Sequence, residues 1–158
     1  MRKVVLGNGG LLAPRGTDGN SSEINKRMAR KMNSYKKYVY TTSSEPAPND
    51  WTNAELVTVT SDDDIAAHVS KLKGESGRDI HLSGGARLAQ TMSRLDLVDE
   101  YRFFVHPVIS RGAAWFEQIA DQRNLVLNHA TSFSNGVVGL YYKPTANERS
   151  GQGQFSTA

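Results

Sequence analysis

The pair Gly84-Gly85 follows the strand-like run Asp79-Ile80-His81-Leu82-Ser83 and precedes Ala86 to Leu95, where Leu88, Met92 and Leu95 share one helical face. A strand ending in glycines that open a helix can hold an anion. Residues without Cβ let the backbone approach a phosphate, and the free amides of the first turn stabilise its charge. The same pair also serves as a tight turn with close strand-to-helix packing, and both readings stand. The other reactive side chains form no constellation. His68, His81, His106 and His129 are scattered and read as structural, and no pair of carboxylates has a catalytic spacing. There is no Ser-His-Asp signature and no metal-ligand cluster, so neither a catalytic residue nor a metal site is assigned. The absence of cysteine excludes a disulfide framework, thiolate zinc and a cysteine nucleophile.

The elements that must position the glycine pair alternate. Val4-Val5-Leu6 is a short strand ended by Gly7-Asn8-Gly9-Gly10, and Leu11 to Ser22 is loop. Ser21 or Ser22 caps a helix over about Glu23 to Met32, with Ile24, Met28 and Met32 spaced as a core face. Tyr38 to Thr42 is rich in β-formers and Leu56 to Thr60 suggests another strand. Ser61 with three following aspartates caps a helix that buries Ile65, Val69 and Leu72. After the glycine-led helix, Tyr101 to Val105 is a strand, His106-Pro107 turns the chain, and Ala113 to Ile119 is a short helix. Leu125 to Phe133 and Val137 to Tyr142 flank Ser134-Asn135-Gly136, a hairpin signal. This order predicts an α/β fold with a mostly parallel sheet and an antiparallel C-terminal hairpin.

The chain has 158 residues, 38% hydrophobic and 22% charged, which fits one globular domain with a core of its own. No apolar run approaches the length of a membrane span, and Met1-Arg2-Lys3 is followed by only three apolar residues, which argues against a signal peptide. The net charge of +3 is uneven: nine Lys/Arg stand against three Asp/Glu up to Pro48, and ten against thirteen beyond it. The basic cluster Lys26 to Lys31 reads as a solvated helix face rather than a nucleic-acid surface.

Several motifs in order carry a resemblance. Ser83-Gly84-Gly85-Ala86-Arg87-Leu88, Leu95 to Tyr101, His106-Pro107-Val108-Ile109, Phe133 to Val138 and Tyr141-Tyr142-Lys143-Pro144 resemble the C-terminal half of the dihydrofolate reductase-like superfamily. The nearest branch is the reductase (RibD C-terminal) domain of bacterial riboflavin biosynthesis, with its small stand-alone relatives. Arg30 to Val39 resembles the helix-to-strand passage of those relatives, and the match runs over roughly residues 23–144.

The resemblance implies a three-layer dihydrofolate reductase-like domain over residues 1–144, N-terminally shortened, with a polar tail at 145–158. It implies a cytoplasmic, homodimeric, NADPH-dependent reductase of a small pyrimidine- or pterin-like heterocycle. The cofactor would cross the C-terminal edges of the strands. Gly84, Gly85 and the helix start Ala86 to Leu88, with Ser83, would hold the pyrophosphate, and Thr41, Thr42 and Ser43 would lie near the adenosine phosphate. Gly7, at the end of a neighbouring strand, would be a further cofactor-binding position. Arg87 either adds charge there or faces solvent, and Asp99 and Glu100 read as capping and surface groups. There are three departures from the pattern: the missing first strand supports an alternative, a catalytically silent dimeric binding or scaffold module, the altered loop weakens the grip on a 2′-phosphate, and Ser83 argues against an orthodox pyrimidine reductase. The family's long first strand has no counterpart before Val4, Gly7-Asn8-Gly9-Gly10 replaces a phosphate-gripping Gly-Arg-Lys-Thr, and Ser83 stands where the riboflavin-pathway reductases carry Glu.

Overall fold

The computed structural model describes residues 3–7, 22–43, 52–83, 85–112, 116, 119 and 122–145. It divides into two compact units, Met1–Leu97 and Val98–Ala158. In the first, β1 (Lys3–Gly7), β2 (Lys36–Thr41), β3 (Ala54–Thr58) and β4 (Ile80–Leu82) form one parallel sheet in the order β3-β2-β1-β4. Parallel neighbours need a return path, and α1 (Glu23–Ser34) supplies it between β1 and β2 while α2 (Asp62–Gly74) supplies it between β3 and β4. α3 (Ala86–Arg94) leaves β4 and packs beside β1.

The pleat of β2 sorts its side chains to two faces. Val39 is buried against Met32 of α1, Tyr35, Ala54 and Leu56. Its neighbours Tyr38 and Tyr40 point the other way, edge-on to His68 of α2. The parallel sheet therefore carries a helix on each face, and the expected α/β layering holds. Lys37 is buried because its ammonium donates to the carbonyls of Tyr35 at 3.1 Å and Thr52 at 2.7 Å.

α2 is capped by its own side chains. Ser61 accepts from the Asp64 amide at 3.2 Å, and Asp64 in return accepts from the amides of Ser61 and Thr60 and from the Thr60 hydroxyl. These bonds, the Thr60 amide first, hold the Asp64 carboxyl below the usual carboxylate range. One face buries Ile65, Val69 and Leu72, as their spacing predicts. Ser61→Ala removes the cap and should cost about 1 kcal/mol, read as a lower urea midpoint with unchanged slope.

α1 corrects one expectation. Its bounds and its Ser22 cap match the sequence, but Ile24 is 77% exposed and Met28 64%, and only Met32 of that apolar row packs on the sheet. Helical spacing identifies an apolar face without saying that anything lies against it. At the end of α3, Leu97 N–H bonds the Met92 carbonyl at 2.9 Å and Asp96 N–H bonds Ser93 at 3.2 Å, with Asp96 at φ 55°. This is a Schellman stop built on a non-glycine residue.

The second unit is an antiparallel sheet in the order β5-β7-β6, from β5 (Tyr101–Val105), β6 (Leu125–Ser132) and β7 (Val138–Pro144). Gly136 N–H bonds the Phe133 carbonyl at 3.0 Å, Phe133 N–H bonds Val137 at 2.9 Å, and Gly136 alone in the loop has positive φ, +82°. The Asn-Gly signal is thus realised as a three-residue loop with glycine in the bulge position. A Cβ on Gly136 would also meet the Pro107 ring at 3.2 Å. Gly136→Ala should cost about 1–2 kcal/mol, measured as a fall in thermal midpoint. The loop expected before Ser22 and the helix expected at Ala113 to Ile119 lie largely outside the described residues, as do Gly84 and the tail beyond Thr145.

Candidate cofactor-binding site

Three of the described candidates, Gly7, Thr41 and Ser83, stand at or next to the carboxyl ends of strands of one sheet, and Gly85 to Leu88 open the helix that follows. β1 lies between β2 and β4, pairing Gly7 with Tyr40 and Val5 with Leu82, so the carboxyl ends of three adjacent parallel strands lie together. Gly7, Thr41 and Ser83 mark those ends. Crevices at the carboxyl ends of parallel strands are where such sheets bind ligands, because helix starts and their free amides gather there.

The start of α3 differs from the other two helix starts in a way that suits an anion. Ser22 and Ser61 cap α1 and α2 with their side chains, and acidic residues fill both first turns: Glu23, and Asp62 to Asp64. α3 has Gly85 at its cap with no side-chain bond, no acidic residue in its first turn, and Arg87 there instead. A cation at a helix N-terminus opposes the helix dipole unless an anion joins it. Gly85 is exposed, has ordinary φ of −61°, and a Cβ on it would meet nothing within 4 Å. Its backbone therefore does not demand glycine. Open space over a bare cap is what a group approaching the backbone would require.

The other candidates divide by exposure. Leu88 is buried, whereas Arg87 is exposed and Ala86 half-buried. Thr41 is buried and its hydroxyl accepts from the Ser43 amide at 3.1 Å, which fixes the exit of β2. Thr42 and Ser43 are exposed beyond it. The Val59 amide bonds the Thr41 carbonyl at 2.9 Å and so brings the start of α2 beside that exit. Glu100 is paired with Arg102, in keeping with its surface reading.

One pair escaped the sequence reading. Tyr40 Oη and His68 Nδ1 lie 2.7 Å apart, directly behind the edge. Burial pushes the Tyr40 hydroxyl up to about 12 and lowers His68 from its ordinary value. The signal was present: His68 shares the face of Ile65, Val69 and Leu72, and Tyr38 and Tyr40 alternate as one face of a strand. The structural reading of this histidine holds. His129 likewise bonds the Thr131 hydroxyl at 2.7 Å. Among the described residues there is no cluster of His, Asp and Glu able to hold a metal ion, and no helix is long and apolar enough to cross a membrane.

The fold has close counterparts among solved structures. A protein assigned to riboflavin biosynthesis in Shewanella sp. PV-4 superposes with TM-score 0.62 at 13% identity, over 91% of this chain and 74% of its own. A pyrimidine reductase-like protein of Corynebacterium diphtheriae gives 0.56 at 17% identity, over 91% and 76%. RibD of Acinetobacter baumannii gives 0.54 at 14%, over 90% of this chain and 46% of its own. The likeness to these reductase-type proteins establishes the dihydrofolate reductase-like fold. In sequence, the uncharacterized protein YyaP of Bacillus subtilis (strain 168) is 34% identical over 121 residues, which is 76% of this chain and 61% of that one. The RibD C-terminal domain model matches residues 4–139, so it takes in β1 as well as the later motifs, and the chain belongs to the RibD C-terminal domain family.

Proposed function

We propose that the protein is an NADPH-dependent reductase of a small pyrimidine- or pterin-like heterocycle, cytoplasmic and homodimeric, with its cofactor along the shared edge of β1, β2 and β4. The observation that carries this reading is the uncapped, acid-free start of α3 at Gly85, with exposed Arg87 in its first turn. The amides of Ala86 to Leu88 would hold the pyrophosphate and Arg87 would add a charge-assisted bond. Thr42 and Ser43 would offer hydroxyls to the adenosine phosphate at the exit that Thr41 fixes. NADPH supplies the hydride chemistry, and the chain supplies position and charge. Family membership supports a reductase, and the residues on this edge fit the phosphates of the cofactor.

One observation favours a second reading, a dimeric binding or scaffold module without activity. The sequence after β1 reads Gly7-Asn8-Gly9-Gly10, with no basic residue where the family pattern carries Arg and Lys. The readings separate in an assay of NADPH oxidation with a panel of pyrimidine and pterin substrates. The reductase reading expects turnover with at least one of them that disappears in Arg87→Glu. Saturable cofactor binding with no turnover on any member would favour the silent module.

A further inference from the structure

We infer that the site takes NADH at least as readily as NADPH, because the exit of β2 offers hydroxyls to the adenosine ribose and no cation to a 2′-phosphate. The inference rests on the cofactor site proposed above and deepens it by naming the form of the dinucleotide. The two forms differ only in that phosphate, a monoester carrying about −1.5 to −2 charge at neutral pH. Arg87 is assigned to the pyrophosphate, which both forms share, so discrimination falls to the β2 exit.

The sequence withholds positive charge from this part of the molecule. Between Lys37 and Lys71 the chain has no Lys or Arg, while Glu45, Asp50, Glu55 and Asp62 to Asp64 all fall within that stretch. It runs through β2 and β3 and into α2, so it builds the exit of β2 and the strand paired beside it. The two bounding lysines are engaged elsewhere. Lys37 stands at the amino end of β2, buried, with its ammonium on the carbonyls of Tyr35 and Thr52. Lys71 lies in the last turn of α2, roughly 13 Å further along the helix than Asp62 at about 1.5 Å per residue.

The fold brings the acidic end of that stretch to the β2 exit. Thr41 pairs with Thr58, and the Val59 amide bonds the Thr41 carbonyl at 2.9 Å, so the carboxyl ends of β2 and β3 run together into the start of α2. Asp62, Asp63 and Asp64 fill that first turn. Arg94 of α3 reaches it, but its guanidinium is bonded to Asp62 at 2.7 Å, and the pair carries no net charge. Asp64 accepts from the Thr60 and Ser61 amides, and Asp63 is exposed. The Arg94 guanidinium on Asp62 and the Thr60 amide on Asp64 hold both carboxyls below the usual carboxylate range, so both are ionised at neutral pH. The turn is therefore net negative, and beside it Thr42 and Ser43 are exposed.

A ribose 2′-hydroxyl and a 2′-phosphate need opposite surroundings. The hydroxyl both donates and accepts, and side-chain hydroxyls or a carboxylate suit it. The phosphate must exchange its hydration for the site, and a cation, best an Arg fork, makes that exchange favourable. Thr42 and Ser43 can each donate to a phosphate oxygen but bring no charge, and the α2 turn repels the phosphate. NADPH therefore gains nothing here from the group that NADH lacks.

Fluorescence titrations of the purified chain with NADH and with NADPH, side by side, test this by binding alone. The NADPH dissociation constant should equal or exceed that of NADH, and 2′,5′-ADP should displace bound NADH no better than 5′-AMP does. Added salt should improve NADPH relative to NADH, the sign expected of a repelled phosphate. Thr42→Arg, at an exposed position, should keep the thermal midpoint to within a few degrees and shift the ratio of the two constants about tenfold towards NADPH. Asp63→Lys, exposed on α2, serves as the second variant and should shift it the same way. NADPH bound more tightly than NADH by the wild-type chain would overturn the inference and leave the cofactor site standing. A ratio unchanged in both folded variants would also overturn it, because the two forms would not be told apart at the β2 exit. Saturation with neither dinucleotide would overturn the site itself and the inference with it.

Discussion

Gly85→Asp should weaken NADPH binding at least tenfold while leaving the thermal midpoint unchanged or higher. The two effects have opposite signs because the position has two possible tenants. Gly85 caps α3 with φ −61° and ψ 160°, dihedrals that suit an aspartate cap, and a new Cβ has open space. An aspartate there would accept the free amides of the first turn and complement the helix dipole, which is worth about 0.5–1 kcal/mol to the fold. It would also occupy those amides and place a negative charge where a pyrophosphate is proposed. Two unit charges about 5 Å apart repel by roughly 3 kcal/mol at an effective dielectric of about 20, which corresponds to a loss on the order of a hundredfold before screening. Calorimetric unfolding and cofactor titration on the same preparation check both halves. A more stable protein that binds NADPH as well as wild type would show that α3 does not hold the phosphates.

Tyr40→Ala should cost about 3–5 kcal/mol, a large part of what holds a domain this size together. Tyr40 is 4% exposed, packs edge-on to His68, and gives that imidazole its hydroxyl partner at 2.7 Å. Tyr40→Phe separates the parts, since it keeps the ring and deletes only the bond, at about 1 kcal/mol. The pair also imposes a pH dependence whose sign follows from burial. His68 is held below its ordinary value chiefly by desolvation, with Glu55 and Glu75 raising it and Lys71 lowering it. The folded chain therefore resists protonation more than the unfolded one. This contribution to stability is complete above pH about 6.5 and is lost as pH falls below it. The Tyr40 hydroxyl is raised to about 12, so its contribution is complete below pH about 10 and declines as pH climbs towards 12. Urea midpoints measured between pH 7.5 and 5 should fall for the wild-type chain. The slope should flatten in His68→Gln, which fits the same space without titrating.

Much of this architecture was legible because it is written in local chemistry. The Ser61 capping box, the Ile65-Val69-Leu72 face and the Asn135-Gly136 turn are each decided by residues within one or two turns of each other, and all three form as read. What could not be read depends on partners distant in sequence. Ile24 and Met28 have the spacing of core residues, yet burial depends on what the fold lays over that helix, and here they stay exposed. The Tyr40–His68 pair spans 28 positions and becomes visible only when β2 and α2 are set face to face. At the site, sequence supplied the glycine pair and the strand ends. The geometry added that Thr41 is a buried brace and not a surface hydroxyl, that the Leu88 side chain is buried, and that α3 alone among the three described helices lacks a side-chain cap. Asp96 in the Schellman stop had no glycine to announce it.

The central claim, that the carboxyl ends of the strands at Gly7, Thr41 and Ser83 hold a dinucleotide, is tested most directly by titrating the purified wild-type chain with NADPH and following cofactor fluorescence. The account predicts saturable binding at sub-millimolar NADPH, suppressed by inorganic pyrophosphate. A fluorescence signal that grows only in proportion to added cofactor, with no saturation in that range, would contradict it.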